Sequence, residues 1–112
     1  MRLLSELFTL RLNVHVESVD EFNKAIDGLM KILKEANGSL FTHGHIVLWA
    51  SEETLLKTYP LVRTPRMEEA AYMPGRFVFV IELVSRKPSE LVKLGSKVIE
   101  LLRRTNLLFT IH

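Results

Sequence analysis

The chain has 112 residues, 47% of them hydrophobic, with 15 lysines and arginines against 13 acids and no cysteine. That length and apolar content fit one ordered domain spanning residues 1–112, with a core of its own. The missing thiol excludes disulfides, thiolate zinc sites and a cysteine nucleophile, and it suits a cytoplasmic setting.

No apolar run approaches the ~18–20 residues that crossing a bilayer requires, so no membrane role is expected. The net charge of +2 and the pI of about 9.1 reflect a small, dispersed excess of bases. Such a distribution gives weak footing for nucleic-acid binding. The many charged pairs on the predicted helices match a pattern found in thermophiles.

The first element is a strand. Phe8, Leu10, Leu12, Val14 and Val16 alternate with Thr9, Arg11, Asn13, His15 and Glu17, giving one apolar and one polar face. The same segment carries Glu6 and Arg11, unlike a signal peptide. Ser18 offers an N-cap and Glu21, three residues on, completes a capping box. Phe22, Ile26, Leu29, Met30 and Leu33 form the buried stripe of the helix that follows. Asn37-Gly38 reads as its stop, with Gly38 free to take a left-handed conformation.

Ser39–Ala50 is predicted as one strand containing the only tryptophan, Trp49. A long connection, 51–75, follows, with a helical turn expected over Ser51–Thr58 and prolines at 60, 65 and 74. Arg76–Val84 is a strand apolar on both faces, as in the middle of a sheet. Pro88 and Ser89 open a second helix, with Leu91, Leu94, Val98, Leu101 and Leu102 as its stripe and Gly95 marking a close approach. Asn106 ends it, and Leu107–Ile111 forms a last strand.

Strand–helix–strand thus occurs twice. Right-handed crossovers leave few assemblies of two such units. The expected fold is α+β: a ferredoxin-like βαββαβ sandwich, a four-stranded antiparallel sheet of order 4-1-3-2 with both helices on one face.

In that fold one sheet face stays bare. Glu82, which should not be buried unpaired, sets the phase of the third strand: Phe77, Phe79, Ile81 and Leu83 face the helices, and Arg76, Val78, Val80 and Val84 do not. On the second strand, Leu40, Ile46, Leu48 and Ala50 are read as buried. Phe41, His43, His45, Val47 and Trp49 then lie open, with a bulge at Gly44 as the feature that would reverse part of this assignment.

Three uses of the bare face follow. His43 and His45, with Glu82, make a candidate site for a divalent metal such as zinc or iron. His43-Gly44-His45 resembles the His-x-His metal pair of the HUH nucleases. That resemblance implies a tyrosine nucleophile, for which only Tyr59 and Tyr72, in the long loop, are present. Gly75-Arg76-Phe77-Val78-Phe79-Val80 resembles the strand-three motif of RNA-recognition domains, which implies exposed aromatics. Exposing Phe77 and Phe79 would bury Glu82, so they are read as core.

The remaining candidates for a binding surface are His15, Trp49, Arg63, Arg66 and Arg76. Val47, Val78, Val80, Val84 and Leu108 are candidates for a dimer interface, since an apolar face of this size normally meets a partner. The expected function is a small, non-catalytic binding protein without a cofactor. It would be a homodimeric ligand-sensing or assembly subunit using the bare face and the 51–75 loop. The alternative is a metal-dependent protein that binds or processes nucleic acid through His43, His45 and Glu82. No nucleophile elbow or phosphate-cradling glycine loop supports catalysis.

Overall fold

Each short run of alternating residues in this chain finds an antiparallel neighbour, and together the runs build one sheet. The computed structural model describes residues 6–43, 46–61 and 77–112. The elements, in order, are β1 (Phe8–Val16), α1 (Val19–Glu35), β2 (Ser39–His43), β3 (Ile46–Ala50), β4 (Thr54–Pro60), β5 (Phe77–Ser85), α2 (Pro88–Arg104) and β6 (Leu108–Ile111). The strands form a six-stranded sheet in the order β2-β3-β4-β5-β1-β6, antiparallel at every junction.

The four-stranded ferredoxin-like sheet of order 4-1-3-2 is therefore not what forms. Two segments account for the difference. Residues 39–50 make two strands rather than one: β2 folds back on β3, with His43 opposite Ile46 and Leu40 opposite Trp49. Residues 54–60, expected to open as a helical turn, are the extended β4, in which Thr54, Leu56 and Thr58 are buried on one side. Threonine's branched β-carbon favours that extended state. A tight link joins β3 to β4, where the Ser51 N–H donates to the Thr54 carbonyl at 2.8 Å and the Thr54 N–H to Ser51 Oγ at 3.2 Å.

Both helices lie on one face. Leu12, Val14 and Val16 of β1 and Phe79, Ile81 and Leu83 of β5 share a single buried cluster with Phe22, Leu29 and Leu33 of α1 and Leu94, Val98 and Leu101 of α2. The ring of Phe22 meets that of Phe79 edge-on at 5.1 Å. Ser18 caps α1 by accepting from the Glu21 N–H at 3.1 Å, and the Glu21 carboxylate reaches back to the Glu17 N–H at 2.8 Å.

Helix α1 stops at Ala36, whose backbone is extended, one residue before Asn37-Gly38. Gly38 is not in the left-handed region. Its reason is space: a β-carbon there would stand 2.6 Å from the Ala50 carbonyl and 2.7 Å from the Trp49 indole. Asn106 does adopt the left-handed conformation, with φ of 58°, at the end of α2. The Leu107 N–H then bonds to the Leu102 carbonyl and the Asn106 N–H to that of Arg103, the paired bonds of a Schellman stop.

Candidate interaction surface

Because neighbouring strands pair in known register, side chains on the helix-free face fall into rows across the sheet. One row runs Phe41, Leu48, Lys57, Glu82, Arg11 from β2 to β1. Another runs Ser39, Ala50, Leu55, Val84, Thr9. Residues Asn13, His15, Val78, Val80, Tyr59, His43, Ile46 and Leu108 share this face by parity.

The rows divide the face in two. Over β2 and β3, and at Leu55 of β4, it is apolar: Phe41, Ile46, Leu48 and Leu55 are all large, exposed hydrophobics. Toward β1 it is polar. The Lys57 ammonium lies 3.3 Å from Glu82 Oε1 and 5.7 Å from the centre of the Tyr59 ring. Arg11 stands opposite Glu82 on β1, and His15 stands between Val78 and Leu108. Among the described residues, two half-buried groups in this polar half, Arg11 Nε and Asn13 Oδ1, find no hydrogen-bond partner.

Several expected site residues lie elsewhere. Trp49 is 4% exposed and Val47 is equally buried, both in the helix-side cluster rather than on the bare face. The residues read as buried, Ile46 and Leu48, are the exposed ones. The phase of 46–50 is thus the reverse of the expected one, because β3 is a separate strand whose register is set by β4, with Trp49 opposite the buried Leu56. Val80 does point away from the helices, yet it is 0% exposed, so it presents nothing to a partner. Val78 and Val84 are half-buried there, and Leu108 is exposed.

Of the proposed metal ligands, His43 and Glu82 are not brought together. Glu82 is on β5 and His43 on β2, so β3 and β4 stand between them. Three strand spacings amount to roughly 14 Å, whereas shared ligands must each approach a metal within about 2.3 Å. Among the described residues no group of three histidines and carboxylates could hold a metal ion. His45, Arg63, Arg66 and Arg76 lie outside the described residues, as does the 62–76 part of the long connection.

A separate cleft of about 640 Å³ opens between the end of α1, the β3–β4 link and the start of α2. Trp49 and Leu94 contribute apolar walls, while Glu35, Glu53, Lys93 and Lys97 bring both signs of charge. Behind the α2 end of this cleft lies a hydroxyl relay. The Lys87 N–H donates to Ser85 Oγ at 3.0 Å, Ser85 and Thr54 hydroxyls meet at 2.8 Å, and Thr54 Oγ1 donates to Glu90 Oε1 at 3.3 Å. The relay fixes the first turn of α2 to the sheet. No helix among the described residues is long and apolar enough to cross a membrane.

Sequence reasoning missed Ile46, Leu48 and Leu55 as surface residues. The signal that could have found them is the Gly44 between two apolar runs, a hairpin cue, followed by the Thr-x-x-x-Thr spacing of β4. Compared with protein-family models and with curated proteins, the chain matches none.

Proposed function

We propose that this protein is a small, non-catalytic interaction protein that works as a homodimeric assembly subunit, using the helix-free face of its sheet. The observation that supports this reading is the contiguous apolar patch formed by Phe41, Ile46, Leu48 and Leu55 on that face. Single exposed hydrophobics are ordinary, but a cluster on neighbouring strands is the kind of surface that meets a partner. A second copy of the chain is the default occupant, because a two-fold contact needs only one self-complementary patch.

The test is molar mass in solution. Light scattering is expected to give twice the chain mass of 12.9 kDa. The pair Phe41→Lys, Leu48→Lys should return the single-chain mass while keeping the native circular dichroism spectrum. A wild-type protein that stays at the single-chain mass at high concentration overturns the reading.

A further inference from the structure

We infer that the second copy joins through the free edge of β2, so that two six-stranded sheets run on as one. This deepens the association reading above and rests on it. The exposure of the patch residues is greatest at the β2 edge. Along the row Phe41–Leu48, and in the adjoining row at Leu55, exposure falls from 62% at the edge to 38% and 36% inside. Among the described residues Phe41 has a neighbouring strand on one side only, and a strand added outside β2 supplies the other.

The edge itself is open to pairing. Alternate residues of an edge strand direct N–H and C=O groups outward, and proteins that stay single block such edges with charge, proline or a bulge. Ser39–His43 contains no Lys, Arg, Asp, Glu or Pro, and its ladder to β3 is unbroken over all five residues. The opposite edge, β6, is shorter at four residues, and although it too lacks charge and proline, its exposed Leu108 on this face stands beside the polar His15 of β1 rather than beside an apolar patch. The apolar patch is continuous with β2 and not with β6.

Two-fold symmetry fixes the register. An antiparallel pairing that uses the whole of β2 sets Phe41 opposite its own copy, Leu40 opposite Thr42 and Ser39 opposite His43. The two Phe41 rings then lie side by side on the helix-free face, flanked by both Leu48 side chains. A β2–β2 contact closes on itself. A β2–β6 contact would be head-to-tail and would generate rings or filaments rather than a closed pair.

The absence of native cysteine makes the test direct. Single substitutions Ser39→Cys, Leu40→Cys, Phe41→Cys, Thr42→Cys and His43→Cys, with Leu55→Cys and Thr110→Cys as comparisons, are oxidised and run without reductant. Only directly opposed positions bring two thiols close enough to bridge. Phe41→Cys is expected to convert to the covalent dimer, with the other positions remaining single chains. A wild-type dimer that cross-links through Leu55→Cys or Thr110→Cys instead overturns the edge geometry and leaves the association reading standing. A wild-type protein of single-chain mass removes both, and a ladder of higher oligomers replaces the closed pair with a head-to-tail contact.

Discussion

Gly28 of α1 lies against Leu101 of α2 with no room between them for a β-carbon. Leu101 is buried in the common core and cannot swing aside freely. Gly28→Ala should therefore destabilise the protein. Overpacking costs about 1–3 kcal/mol, more than the roughly 1 kcal/mol that alanine gains in helix propensity. Urea unfolding of Gly28→Ala, with and without Leu101→Ala, separates the two terms. Relief of the cost in the double variant is the expected sign, and a more stable single variant would contradict the contact.

The reversed phase of β3 has a plain energetic signature. Trp49→Ala should cost about 3–5 kcal/mol, the range for a large aromatic removed from a core. Leu48→Ala, one residue away on the exposed side, should cost about 1 kcal/mol or less. Equal losses at the two positions, measured by chemical denaturation, would put β3 back in the phase expected from sequence.

Val80 makes a similar distinction on the other face. Although it points away from both helices, it is wholly shielded, between Tyr59 and Asn13 in the register. Val80→Glu would bury a carboxylate and should cost more than about 4 kcal/mol, among the largest single-site effects. Thermal unfolding is expected to show a much lower midpoint than for Leu48→Lys, which changes an exposed site. A fully stable Val80→Glu would mean that the centre of this face is wet.

Ser85 serves two partners at once, the Lys87 N–H and the Thr54 hydroxyl. Ser85→Ala leaves both without it in a buried setting, and the cost should be about 1–3 kcal/mol. Hydrogen exchange at the first turn of α2 should quicken in the same variant. Exchange unchanged from wild type would show that the relay does not hold the helix start.

The elements that were readable without coordinates are those with unambiguous alternation. Phe8–Val16 has a polar residue at every second position, so Leu12, Val14 and Val16 could be assigned to the core. In 77–85 nearly every position is apolar, but Glu82 settles the phase, and Phe79, Ile81 and Leu83 do face the helices. Ile46–Ala50 has no such marker. All five of its residues are apolar, and its orientation comes from pairing with β4, a partner not recognised as a strand. That omission, together with reading 39–50 as one strand, also placed Glu82 next to His43, when β3 and β4 separate them. The cap at Ser18 was legible because its chemistry is local. The crowding at Gly38 was not, because Trp49 reaches it only through the fold.

The order of the strands also bears on how the chain is made. Strands β2, β3 and β4 adjoin in sequence order, so each can zip to the one before as it leaves the ribosome. β1 cannot. Its two neighbours are β5 and β6, and its nine-residue ladder with the former joins Phe8 to Ser85. Of the six described strands β1 waits longest for its neighbours. Although α1 can cover its apolar side early, both its edges stay unpaired until β5 and β6 emerge, and that interval is where a holding chaperone would matter most.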